Sequence, residues 1–228
     1  GAPGGGIMTI GEAGPGNSPF TGLAGLERLV RPAPKIQPGE RCELCGEPVP
    51  DEHSHVANLE HRSVMCACRA CYLLFTHRGA SGGKYRAIPD RYRYDPSPQL
   101  TDMQWDELQI PVKLAFFFHN STLQTDVCFY PGPGGAMESE LPLDAWSNVV
   151  AGNPEFADLA PDVEALLVQR RDGSGFEFFG VPIDTCYELV GLVRLNWKGF
   201  DGGQDVWREL GAFFDRLRER STVVGGGA

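Results

Sequence analysis

Two pairs of cysteines are the residues in this sequence whose types and spacing could do chemistry. Cys42 and Cys45 form one CxxC pair, and Cys68 and Cys71 form a second about two dozen residues later. This spacing is typical of a tetrahedral Zn²⁺ site, because each CxxC turn brings two sulfurs close together. Four thiolates fill the coordination sphere and leave no position for water. The pattern therefore predicts a structural Zn²⁺ ion and no catalytic residue.

The residues beside the two pairs indicate which elements hold them. Gly46 follows the first pair in CELCGEP, as in a zinc knuckle, whereas the second pair in CRACYLLF runs into apolar residues, as at the start of a helix. A knuckle, a β-hairpin and a helix-borne pair in this order resemble treble-clef and zinc-ribbon modules. Arg41 and Arg69 adjoin ligands and could offset the negative charge of the thiolates.

Among the three remaining cysteines, Cys66 is an alternative for one of the four ligands. Cys66 could substitute for Cys68 and give a C-x4-C pair, but a free cysteine is commonly a small buried apolar residue, and this interpretation is favoured. Cys128 and Cys186 lie in apolar patterns and are assigned to the core. Iron is the competing metal, in a rubredoxin-like site or an iron–sulfur cluster. A rubredoxin-like site normally has a glycine-containing knuckle at both cysteine pairs, and in this sequence only the first pair has one. Zinc is therefore favoured.

His53 and His55 lie between the two pairs, as histidines do in HNH nucleases. A nuclease would use one histidine as a general base on water and a second metal on the phosphate. Too few residues separate His55 from Cys68 for the usual ββα-metal core, and Tyr72 follows Cys71 where a histidine would be expected. The histidines are therefore interpreted as hairpin residues or as contacts to the zinc sulfurs.

Composition and charge limit the class of protein. Of 228 residues, 42% are hydrophobic and 22% charged, as in ordinary globular proteins. No apolar run is long enough for a membrane helix, and the N-terminus lacks a signal-peptide pattern, so a cytoplasmic location without membrane contact is expected. Residues 96–228 carry twenty acidic and nine basic side chains, which argues against binding of nucleic acid by this part.

The chain is divided into four parts on its composition: a flexible Gly/Pro-rich tail (1–36) with at most one short helix near Leu23 to Val30, a zinc-binding module with a basic, tyrosine-rich exit (37–95), an acidic α+β domain (96–222) and a disordered C-terminal tail (223–228). The exit contains four basic residues and three tyrosines. These could bind single-stranded nucleic acid, but an extended segment is favoured, with its tyrosines packed on the zinc module and its arginines paired with the acidic domain.

The pattern within 96–222 predicts the elements of an α+β fold. Two β-hairpins are expected, one from 112–118 and 126–130 and one from 165–171 and 176–183. PGPGG (131–135) is read as a turn. Helices are predicted after the capping boxes Thr101/Gln104 and Thr185/Glu188, around Leu143 to Val150, and along the apolar stripe Val206, Leu210, Phe213, Phe214 and Leu217.

Five segments carry a resemblance to a known family: CELCGEPVPDEHSHV with CACRACYLLF, IPVKLAFFF, FYPGPGGAMESEL and VPIDTCYELVGLVRLNWKGFDGG. Over residues 37–220 the sequence resembles an uncharacterised actinobacterial family associated with gene clusters of nickel–iron uptake hydrogenases. The resemblance implies an accessory or assembly role, with the hydrogenase or its maturation or electron-transfer proteins as partners. It supplies no catalytic residues.

The expected function is therefore that of a non-enzymatic zinc-binding accessory protein that contacts a protein partner. An iron-binding redox protein is the first alternative, and an HNH-like nuclease is the second.

Overall fold

The computed structural model describes residues 40–77, 79–132, 134–140, 142–171, 173, 175–197 and 203–225. The predicted N-terminal tail (1–36), with its short helix near Leu23 to Val30, lies outside the described residues, as do residues 226–228 of the predicted C-terminal tail.

A small antiparallel sheet follows the first cysteine pair. Its elements are β1 (Ser54–Asn58), β2 (Ser63–Ala67), α1 (Arg69–Leu74) and β3 (Tyr85–Ala87), with a 3₁₀ turn at Ala80–Gly83. The strand order is β2-β1-β3, and both pairings are antiparallel. The predicted order of knuckle, hairpin and helix-borne cysteine pair is therefore confirmed.

A larger sheet forms the rest of the fold. Its elements are β4 (Arg93–Asp95), α2 (Asp102–Glu107), β5 (Leu114–Asn120), β6 (Thr125–Gly132), β7 (Gly135–Ser139), α3 (Leu143–Gly152), β8 (Glu164–Arg171), β9 (Gly175–Pro182), α4 (Ile183–Asn196), α5 (Gly203–Arg220) and β10 (Thr222–Val223), with a 3₁₀ turn at Pro154–Phe156. The strand order is β10-β4-β9-β8-β5-β6-β7; β10 and β4 pair in parallel, and the other neighbours pair antiparallel. With ten strands and five α-helices among the described residues, the mixed α+β class is confirmed.

The central strands of the larger sheet are buried on both faces, because they are apolar at successive positions. Leu167 and Phe179 face α4 and α5, whereas Leu166 and Phe178 face α2 and α3. Side chains alternate between the two faces of a strand, so an uninterrupted apolar run must be covered on both sides. The sheet is therefore the middle of three layers.

The small sheet packs on the same core. Ala57 of β1 and Ile88 after β3 belong to the buried cluster that contains α4 and α5. Residues 37–95, predicted as a separate module, also supply β4, which pairs with β9 of the larger sheet. Val223, the first residue of the predicted disordered tail, pairs with Tyr94. Gly39–Ala228 group as one compact unit.

The two predicted capping boxes have different outcomes. As predicted, Thr101 caps α2: its hydroxyl accepts from the Gln104 amide, and the Gln104 side chain accepts from the Thr101 amide. The box at Thr185 is wrong, because α4 begins at Ile183 after Pro182. Pro182 is the N-cap, with φ −56° and ψ 146°, so Thr185 lies inside the first turn and cannot cap the helix. The Thr185 side chain is buried instead, with its hydroxyl 3.1 Å from that of Tyr92.

Most of the other elements match the sequence patterns, but four strands were not predicted: β3, β4, β7 and β10. Both predicted hairpins and the helix around Leu143 to Val150 are present, and the stripe of α5 is buried as expected. Part of the predicted PGPGG turn is strand instead, because Pro131 and Gly132 lie in β6 and Gly135 begins β7. Within the described residues, no helix combines the length and the apolar character needed to cross a membrane.

Candidate metal centre

The four predicted ligands come together at one point. The sulfurs of Cys42, Cys45, Cys68 and Cys71 all lie within 4.8 Å of one another, so the cluster could hold a metal ion. Cys42 is buried and Cys45 is exposed, so the cluster lies at the surface. All seven cysteines of the chain are free thiols.

The first pair lies on a tight turn that the backbone closes by itself. The amide of Cys42 donates to the Glu47 carbonyl at 2.8 Å, and the amide of Gly46 donates to the Cys42 carbonyl at 2.8 Å. Gly46 has a φ angle of +77°, where residues with a side chain are strained. Arg41 Nη1 donates to the Gly46 carbonyl at 2.9 Å, which fixes the outer side of the turn.

The second pair lies at the start of α1. Cys68 is the N-cap, and its sulfur accepts a hydrogen bond from the Cys71 amide at 3.5 Å. Residues three apart lie on the same face of a helix, so both sulfurs point toward the knuckle. A thiol takes the place that Ser or Asp usually has at a helix start.

Glu43 joins the knuckle to the hairpin. Its amide donates to the Cys66 carbonyl at 2.9 Å, and its carboxylate accepts from the Cys66 amide at 2.8 Å. These two bonds hold the first cysteine pair beside β2, which leads directly into the second pair. The cluster is therefore fixed by these hydrogen bonds of Glu43 as well as by any ion it holds.

The distances fit one tetrahedral ion. A Zn–S bond of about 2.3 Å requires sulfurs about 3.8 Å apart along each edge of the tetrahedron. The sulfurs of Cys45 and Cys68, which belong to different pairs, are 3.7 Å apart. Four thiolates are a donor set for zinc or iron, and they leave no open coordination position.

The thiols lose their protons unequally when no ion is bound. Burial raises the pKa of Cys42, but hydrogen bonds from the amides of Cys68, Leu44 and Cys45 outweigh it and lower that pKa to about 6. Burial and the neighbouring cysteines raise the pKa of Cys71 to about 12. A bound cation must therefore displace the proton that Cys71 retains at neutral pH.

Cys66 has a different position from both sequence interpretations. Its sulfur is not part of the four-cysteine cluster, so the structure does not bring Cys66 into the place of Cys68. The expectation that it faces inward as a buried apolar residue is also wrong, because it is half-buried beside His53 and His55. Cys128 and Cys186 are buried in the core as predicted.

His55 has a partner that sequence reasoning missed. Its Nδ1 lies 2.7 Å from Asp184 Oδ2, on the first turn of α4. The hydrogen bond to Asp184 raises the pKa of His55, although burial lowers it. The two residues are 129 positions apart. Neither the spacing nor the composition around Asp184 signals this contact.

The basic, tyrosine-rich exit contacts the acidic part of the chain, as the favoured interpretation expected. Arg91 makes a two-pronged contact with Glu164, at 2.8 Å from Nε and 2.6 Å from Nη2, and Arg93 Nη1 is 2.6 Å from Asp158. Tyr85 packs against Phe75 after α1. The other two tyrosines, Tyr92 and Tyr94, pack against the buried cluster that contains α4 and α5.

The fold and the centre define a class of protein: it is mixed α+β and has a four-cysteine cluster that could hold a metal ion. The chain belongs to the family of unknown function DUF5947, whose model matches residues 41–221. The match spans the knuckle, the hairpin and the larger sheet as far as the end of α5. Neither the curated proteins nor the solved structures gave a match to this chain.

Proposed function

We propose that this protein is a non-enzymatic accessory protein in which a structural Zn²⁺ ion holds a surface for a protein partner. The four-cysteine cluster carries the proposal, since four sulfurs that share one ion leave no position for a substrate. Zinc is proposed over iron because a knuckle supplies one pair and a helix N-terminus supplies the other. Seven free thiols suit a reducing compartment such as the cytoplasm.

Helix α1 is the part of the surface that the metal would position. None of its six residues is buried, so little core packing holds it in place. Leu73 and Leu74 at its end are 51% and 66% exposed. Adjacent exposed leucines on a helix fixed by a metal provide an apolar contact for a groove on a partner protein.

The partner that we propose is a nickel–iron uptake hydrogenase, or a protein that assembles it or carries its electrons. The support is the resemblance of five sequence segments to the family described above. The role is consistent with a centre that fixes a binding surface and takes no part in a reaction.

Co-purification tests the partner and the surface together. We expect hydrogenase-system proteins to co-purify with the wild-type chain from native lysate and to be lost with the double variant Leu73→Ser/Leu74→Ser. Leu123→Ser is the matched control, because Leu123 is also 51% exposed but lies in the β5–β6 turn. Recovery of the wild-type protein alone, with normal hydrogenase maturation in a deletion strain, would contradict the proposal.

Elemental analysis of protein purified without added metal tests the ion. Zinc is expected, without iron and without visible absorption. The iron alternative predicts a coloured protein that can be reversibly reduced, because iron–thiolate centres absorb visible light and change oxidation state. Stoichiometric iron would therefore replace the accessory role with a redox role.

A further inference from the structure

We propose that His53, His55 and Cys66 form a second metal site, separate from the four-cysteine cluster, for a divalent late first-row metal ion such as Zn²⁺. One ligand atom from each of the three residues lies within 4.8 Å of the other two. The proposal does not depend on the accessory role, because it concerns other residues and can be tested on the purified protein.

The strand register itself places the three side chains together. His55 in β1 lies directly opposite Cys66 in β2. Residues opposite each other in an antiparallel pair share a face of the sheet, and His53 follows the same alternation two residues earlier. The rings of His53 and His55 are accordingly 4.7 Å apart between centroids.

Both histidines are oriented as metal ligands usually are. His53 Nδ1 lies 2.9 Å from the Pro50 carbonyl, and His55 Nδ1 lies 2.7 Å from Asp184 Oδ2. A metal-bound histidine generally donates its other ring N–H to a backbone carbonyl or a carboxylate. In each ring Nε2 is therefore the nitrogen left to bind an ion.

One of these nitrogens has no hydrogen-bond partner among the described residues. His53 Nε2 is buried without one, and only 6% of the His53 side chain is exposed. The carboxylate of Glu40 is near it, with Oε2 at 3.5 Å, but makes no hydrogen bond. A buried polar atom without a partner is destabilising, and coordination of an ion would satisfy it.

The surroundings favour a cation and allow ligand exchange. His53 and His55 line an open cavity of about 920 Å³. Its acidic lining residues are Glu40, Asp51, Glu52, Asp90, Asp184 and Glu188, against two basic ones, Arg69 and Arg220. A cleft lined mainly by one sign of charge concentrates ions of the other sign.

The donor set defines the metal class and the difference from the first site. Two imidazoles and one thiolate suit zinc, cobalt or nickel and do not suit Mg²⁺ or Ca²⁺, which prefer oxygen. Three protein ligands leave a fourth position for water or another exchangeable group. The four-cysteine cluster has no such position, so the two sites are expected to differ in coordination chemistry.

Metal counting on variants tests the second site. The wild-type protein, saturated with Co²⁺ or Zn²⁺ and desalted, should hold two ions per chain, whereas Cys66→Ser and His53→Gln should each hold one. His61→Gln is the matched control and should keep two, because His61 is exposed near the same hairpin but is not part of the cluster.

The Co²⁺ absorption spectrum identifies which ion is lost. The ion that remains in His53→Gln should show the charge-transfer bands of a four-thiolate centre, with unchanged intensity. Cys66 contacts Glu43, so Cys66→Ser could disturb the fold. His53→Gln tests the same site without that change. One ion per wild-type chain at saturation, or two ions in His53→Gln, would overturn the proposal.

Discussion

The most informative perturbation is Cys68→Ser, which removes one thiolate from the four-cysteine cluster. Serine can still cap a helix, so the variant keeps the N-cap of α1 and loses only the metal ligand. The proposed role predicts that α1 unfolds locally while the larger sheet stays folded.

The magnitude follows from how little else holds α1. Ordering its six residues costs about 6–12 kcal/mol in backbone entropy. Its internal hydrogen bonds, such as Tyr72 N–H to the Cys68 carbonyl at 2.9 Å, stabilise it by about 1 kcal/mol each, and the cap adds about 1. A structural zinc ion contributes about 10–16 kcal/mol, so only the metal is large enough to offset the entropy.

Hydrogen exchange measured residue by residue is the assay. The Tyr72 and Phe75 amides should lose at least about 3 kcal/mol of opening free energy, about a hundredfold in exchange rate, in Cys68→Ser or after chelation of the metal. The amides of Leu167 and Phe179, paired in the centre of the larger sheet, should not change. Unchanged protection of Tyr72 under both treatments would refute a structural role for the metal.

Three further predictions concern the turn, the core and pH. Gly46→Ala should weaken zinc affinity about 5- to 30-fold in a chelator competition, because the φ angle of Gly46 is +77° and a residue with a Cβ is strained there by about 1–2 kcal/mol. An added Cβ would meet no atom within 4 Å, so no steric clash contributes. Equal affinity of the variant and the wild type would exclude the strain. Trp146→Ala should cost about 3–5 kcal/mol in urea unfolding, because it removes a ring stacked 4.0 Å from Phe117; a loss below 1 kcal/mol would contradict the packing. Although burial raises the pKa of Glu177, Arg218 lowers it overall, so stability should fall as pH drops below about 4.3 toward the folded pKa. Arg218→Ala should flatten this pH dependence, and an unchanged pH profile would contradict the assignment.

Local sequence patterns predicted those elements that depend on interactions between residues close together in the sequence. The CxxC spacing with Gly46 indicated the knuckle, since a turn of this kind depends on consecutive residues. The apolar runs of β8 and β9 and the stripe of α5 indicated buried elements for the same reason. The strand β7 was missed because Gly135–Ser139 lacks β-branched and aromatic residues and is held by its pairing with β6.

The sequence itself thus determined the four cysteines and the elements that hold them, a knuckle for the first pair and a helix start for the second. Each pair is local, and a CxxC spacing is that of two sulfurs on one turn. Only the tertiary structure decided the place of Cys66 beside His53 and His55, since the register of β1 and β2 sets which side chains share a face. Likewise, Asp184 reaches His55 only because α4 packs next to the small sheet. Contacts between residues 129 positions apart depend on the packing of whole elements, and no pattern of neighbouring residues encodes them.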